Sequence, residues 1–123
     1  MELNDITYAV RGAIFSVYNE LGPGLLERVY EEALALELST IGLTSLRQVP
    51  INVLYKGKNL GLGFTMDILV EDTVIIELKS VESIADVHKK QLLTYLKLTN
   101  KPLGLLVNFN TADINANIIR IAN

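Results

Sequence analysis

Leu60-Gly-Leu-Gly-Phe-Thr-Met-Asp-Ile-Leu-Val70, the connector Glu71-Asp72-Thr73 and the run Val74-Ile-Ile-Glu-Leu-Lys79 decide how this chain folds. Short apolar runs bounded by polar turn residues read as neighbouring strands. Yet Asp67, Glu77 and Lys79 stand where a buried strand holds hydrophobic side chains. An ionised carboxylate in a low-dielectric core is costly unless it is paired or bound to a cation, so the three groups call for one joint explanation. Strand alternation puts Glu77 and Lys79 on one face, with Ile76 and Leu78 on the other. A two-residue turn would set Asp67 opposite Ile76, whereas a three-residue turn pairs Val70 with Val74 and sets Asp67 opposite Glu77. Only the second gathers the charges, and it is the register expected here. The Glu-x-Lys spacing alone is weak, since this composition gives close to one match by chance. A metal site with a catalytic lysine is one reading of the cluster, and a salt bridge inside an ordinary sheet is the other.

Working outward, Ile6, Ala9, Val10, Ala13, Ile14, Val17, Tyr18 and Leu21 recur at helical spacing from Asn4 to Leu21, with Asn4 or Asp5 suited to cap the start. Gly22-Pro23-Gly24 breaks that pattern, and Leu26, Val29, Tyr30, Leu34 and Leu38 resume it over Leu25 to Ile41. Val49, Ile51, Val53 and Tyr55 alternate along a strand from Leu46 to Tyr55, and Lys56-Gly57-Lys58-Asn59 supplies the turn into the Leu60 to Val70 strand. Ile84 to Leu98 reads as a helix, Leu103 to Phe109 as a buried strand and Asn117 to Ile121 as a weak last strand. A helix between the third strand and Leu103 suits a right-handed crossover into a parallel neighbour. The expected fold is α/β: a three-stranded antiparallel meander plus a parallel crossover strand, forming a mixed β-sheet flanked by helices.

The 123 residues, half of them hydrophobic, suit a single domain over residues 1–123. A net charge of -3 would not draw the chain onto nucleic acid or an anionic membrane, so such binding needs a local basic patch. No cysteine and a single histidine, His88, exclude disulfides, thiolate zinc sites and multi-histidine sites within one chain, and leave a hard cation on oxygen ligands. The opening residues lack a basic segment leading into an apolar run, and no apolar stretch is long enough to span a bilayer, so a soluble, cytoplasmic protein is expected.

Asp67 on one strand, Glu77-Leu78-Lys79 on the next, an acid on a leading helix and Gln91 on a following helix resemble the PD-(D/E)XK nuclease superfamily, with its restriction-endonuclease-like core. The chain is also similar to the GxxExxY protein family, whose motif stands here as Gly24-Leu-Leu-Glu27-Arg-Val-Tyr30. The resemblance covers nearly the whole chain, including Gln91-Leu-Leu-Thr-Tyr95-Leu and Gly104-Leu-Leu-Val-Asn108-Phe. It departs at Thr65, where the family pattern often has a basic residue. The resemblance implies phosphodiester hydrolysis with Asp67 and Glu77 as the main Mg²⁺ or Mn²⁺ ligands, the Leu78 carbonyl as a third oxygen and Lys79 as a catalytic residue. Lys79 would position water or stabilise charge developing on the phosphate. It also makes Gln91 a catalytic-site residue and lets Glu27 reach the metal directly or through water.

A purely structural role is open to several of these side chains. A carboxylate in the first turn of a helix is favoured by the helix dipole, which accounts for Glu27 without chemistry. His88, Gln91 and Tyr95 form a polar stripe on the third helix, and a lone histidine in such a stripe is ordinarily a surface or packing residue. Lys56, Lys58, Lys89, Lys90, Lys97 and Lys101 are a weak nucleic-acid signal without interleaved aromatic residues. The leading function is a metal-dependent nuclease whose specificity would come from nucleic-acid structure, a homodimer or a protein partner. The alternative is a non-catalytic interaction module that keeps the same fold.

Overall fold

The computed structural model describes residues 1–123 except the side chain of Leu62. The elements are α1 (Leu3–Leu21), α2 (Glu27–Thr40), β1 (Ser45–Tyr55), β2 (Lys58–Val70), β3 (Val74–Lys79), α3 (Asp86–Thr99), β4 (Leu103–Asn108), a 3₁₀ turn (Asn115–Asn117) and β5 (Ile118–Ala122). The strands form one five-stranded sheet in the order β1-β2-β3-β4-β5. All neighbours are antiparallel except β3 and β4, which are parallel. The expected α/β fold with a mixed sheet is therefore present, and the weak last strand is a true edge strand beside β4.

Periodicity explains the layers. Ile6, Val10, Ala13, Ile14 and Val17 of α1 and Tyr30, Leu34 and Leu38 of α2 pack on the sheet face carrying Ile68, Val70, Val74, Ile76, Leu78, Leu105 and Val107. Leu92, Tyr95 and Leu96 of α3 cover the opposite face at Leu69, Ile75 and Leu106. β3 is covered on both sides, which is why its sequence reads as a continuous apolar run rather than an alternating one. Gly104 lets α3 sit close to β4, since a Cβ there would stand 2.9 Å from the Leu92 side chain, which would have to shift.

Boundaries differ from expectation in small ways. The first helix begins at Leu3 behind an N-cap Glu2, not at an Asn4 or Asp5 cap. Asp5 still contributes, because its carboxylate accepts the Glu2 N–H at 3.3 Å from inside the first turn. The second helix starts at Glu27, two residues later than its apolar pattern suggests, and the Tyr30 hydroxyl ties the preceding corner to it through Gly22 O and the Leu25 N–H. Lys56 and Gly57, with φ of 50° and 76°, make a two-residue hairpin turn between Tyr55 and Lys58.

Candidate active site at the parting of two strands

The β2–β3 register is the three-residue one: Val70 pairs with Val74, Leu69 with Ile75 and Ile68 with Ile76. The next positions are Asp67 and Glu77, and there the ladder stops. Side chains take over its hydrogen bonds: the Asp67 N–H donates to Glu77 Oε1 at 3.1 Å, and the Leu78 N–H donates to Asp67 Oδ2 at 2.8 Å. Each carboxylate thus satisfies a backbone donor that ordinary pairing would have satisfied.

The strands part here because β2 turns. Arg47 pairs with Ile68 and Val49 with Met66, and between them Gln48 has a left-handed φ of 50°. Ile68 packs in the α1/α2 layer, whereas Met66, two positions earlier and nominally on the same face, packs in the α3 layer. The change of face swings Asp67 toward Leu78, across the gap between β2 and β3. In a strand the N–H and C=O of one residue point to the same edge, so the Leu78 carbonyl also faces this gap. The following carbonyl, that of Lys79, accepts the Phe109 N–H from the β4 side at 3.0 Å, as alternation requires.

Asp67 and Leu78 line a cavity of about 360 Å³ together with Glu27, Arg28, Glu31 and Gln48. Glu77 is not among the lining residues and is only 5% exposed. Burial is the largest cause that pushes the Glu77 carboxyl up, to about 8, and the nearby Asp67 charge adds to it. Asp67 is also raised, first by burial and then by the charge of Glu31, against the Leu78 N–H, which favours its ionised form. Lys79 acts oppositely on both, its charge lowering each carboxyl. Tyr95 on α3 is raised by burial and then by the charges of Glu77 and Asp67.

Glu27 heads α2 at the cavity, and its Oε2 accepts the Ser80 N–H at 3.2 Å, just beyond Lys79. Gly24 adopts a left-handed φ of 97°. Buried Tyr30 donates its hydroxyl to Gly22 O, accepts the Leu25 N–H at 3.2 Å and stacks on Phe109 with centroids 4.2 Å apart. The glycine, glutamate and tyrosine of the motif therefore act as a corner, an anchor and a clamp that fix the start of α2 beside the end of β3. Gln91 is half-buried on α3 and does not line this cavity. His88 Nδ1 accepts the Ala85 N–H at 3.0 Å and so caps α3. Lys101 is committed to Asp72 at 2.9 Å.

Three contributors escaped sequence reading, Glu31, Arg47 and Gln48, and Thr65 stood out there only as a departure from the family pattern. Glu31 is 8% exposed and accepts from the Arg47 guanidinium at 2.8 and 3.2 Å and from Gln48 Nε2 at 2.6 Å. Its position four residues after Glu27 was the one available signal, because i and i+4 share a helix face.

A family model described as the PD-(D/E)XK nuclease superfamily matches residues 4–121. The chain belongs to that superfamily. Its α/β fold is accordingly restriction-endonuclease-like, and a nuclease-like function follows at that level. Comparisons with curated proteins and with solved structures find no match.

Nucleases of this superfamily are typically dependent on a divalent metal. Among the described residues no three acidic or histidine side chains form a metal-holding group. The donor chemistry nevertheless fits a hard cation: two carboxyls both raised first by burial, with the Asp67 charge raising Glu77 further, each with one oxygen on a backbone N–H, beside a carbonyl at the same strand edge. Among the described residues, no helix is long and apolar enough to cross a membrane.

Proposed function

We propose that this chain is a metal-dependent nuclease that hydrolyses phosphodiester bonds, working as one catalytic unit over residues 1–123. The observation that carries the proposal is the junction where Asp67 and Glu77 replace the β2–β3 ladder. Asp67, Glu77 and the Leu78 carbonyl would hold Mg²⁺ or Mn²⁺, and Glu27 is near enough to the cavity to act through water. Bound there, the cation supplies Lewis-acid polarisation of the phosphate and activation of water.

The chain's own groups account for the rest. Lys79 brings positive charge to both carboxylates, and its ammonium, which has no lone pair to ligate a metal, is suited to orient water and to stabilise negative charge as it develops. Leu78 N–H fixes Asp67, and Ser80 N–H fixes Glu27, so the acids stay oriented through a turnover. Gln91, one turn before Tyr95 on α3, would approach this centre from the α3 side, the side to which strand alternation turns Glu77 and Lys79 and on which Tyr95 feels the Glu77 and Asp67 charges. Target choice would come from nucleic-acid structure, from a second copy or from a protein partner.

The wild type should cleave DNA or RNA with Mg²⁺ or Mn²⁺. Lys79→Met, which keeps side-chain length and removes charge, should lower that rate by about a hundredfold or more while the protein stays folded. The acidic cavity lining of Glu27, Glu31 and Asp67 favours the competing reading of a non-catalytic module. Absence of cleavage with either metal, or an equal rate in Lys79→Met, would select that reading.

A further inference from the structure

Gln48 is the point at which β1 leaves extended geometry, and its side chain is aimed into the cavity beside Asp67. A left-handed φ in a residue other than glycine costs about 1–3 kcal/mol and persists only where surrounding contacts hold it. Those contacts are specific. Thr65 Oγ1 donates to Gln48 Oε1 at 2.9 Å, which fixes the amide oxygen toward Thr65 and turns the NH₂ group toward the acids. Nε2 then donates to Glu31 Oε1 at 2.6 Å and faces Asp67 Oδ1 at 3.4 Å.

The amide therefore stands between two carboxylates whose charges oppose each other. Glu31 is also gripped by Arg47 and is committed to structure. Asp67 is held on Oδ2 by the Leu78 N–H, and Gln48 Nε2 faces its Oδ1.

Resting on the reading of Asp67 as a cation ligand, we propose that Gln48 is a positioning residue: its amide, set by Thr65, spans Glu31 and Asp67 and keeps the Asp67 carboxylate turned to the cavity. The strained backbone is what delivers the amide there. With a regular φ, strand alternation would carry the Gln48 side chain out of the gap into which β2 swings Asp67.

Gln48→Asn tests this directly. Asparagine tolerates a left-handed φ, but its amide is one methylene too short to span both acids. Gln48→Gly is the second variant; it accepts the backbone geometry and has no amide at all. Two readouts are needed: amide hydrogen exchange without metal at Leu78, with Ile76 and Leu105 as references, and calorimetric titration with Mn²⁺. In both variants exchange at Leu78 should quicken by about tenfold, with the references unchanged, and Mn²⁺ affinity should weaken by about fivefold, the equivalent of one hydrogen bond.

Unchanged exchange at Leu78, or a rise shared by Ile76 and Leu105, would overturn the proposal. So would faster Leu78 exchange with wild-type Mn²⁺ affinity, since Gln48 would then only support the fold. If the wild type itself binds no Mn²⁺, the metal reading fails, and selective exchange at Leu78 alone decides whether Gln48 positions Asp67.

Discussion

The pairs Ile68–Ile76, Leu69–Ile75 and Val70–Val74 and the pair Asp67–Glu77 belong to the same two strands, yet they do opposite things. The three apolar pairs are at most 4% exposed and sit in a regular ladder between helix layers. One position further, hydrogen bonding passes to side chains, two carboxyls are raised and a cavity opens. The first half supplies stability; the second holds charges that destabilise it and that a bound cation would relieve. The left-handed Gln48 stands where catalysis is proposed, and its cost is met by the packed half next to it.

Ile76→Ala would break the contrast from the stable side. Ile76 is fully buried between β2 and β4, so truncation should cost about 2–5 kcal/mol in denaturant unfolding. A cost under about 1 kcal/mol would mean that the paired half does not anchor the open one.

The open half should respond to pH in the other direction. Glu77 binds its proton more tightly when folded than unfolded, so the folded state holds the extra proton between its ordinary value and about 8. The contribution of Glu77 to the stability of the metal-free protein is then fullest below the ordinary carboxyl range and is lost as pH rises through about 8, by a few kcal/mol in total. Glu77→Gln should flatten that slope, and its persistence in the variant would assign the proton to another group.

A smaller effect is expected at the corner that brings α2 to the site. Tyr30→Phe leaves Gly22 O and Leu25 N–H without their hydroxyl partner and should cost about 1–2 kcal/mol, with the Phe109 stack retained. A neutral result would mean that water replaces the hydroxyl.

How much of this was legible in the sequence follows from the same contrast. Element order, the parallel pair and the register across Glu71-Asp72-Thr73 were readable because local periodicity and turn length dictate them, and Val70 does pair with Val74. The loss of the ladder at Asp67 was not readable. It depends on the left-handed φ at Gln48, and glutamine gives no signal of left-handed geometry as glycine or asparagine would. Glu31 was overlooked because an acid on an amphipathic helix ordinarily faces solvent, and only the tertiary pairing with Arg47 and Gln48 buries it. The resemblance points to Gln91 as a site residue; its stripe lies in the α3 layer, where Tyr95 feels the Glu77 and Asp67 charges, while the cavity beside Asp67 is lined from α2.

Calorimetric titration of wild type and Asp67→Asn with Mn²⁺ near pH 8, where Glu77 is half ionised without metal, tests the central claim most directly. The account predicts one bound ion in the wild type, with proton release from the carboxyl pair, and affinity lower by about tenfold or more in Asp67→Asn. Equal affinity and equal proton release in the two proteins would contradict it, because any bound ion would then lie away from the place where β2 and β3 part.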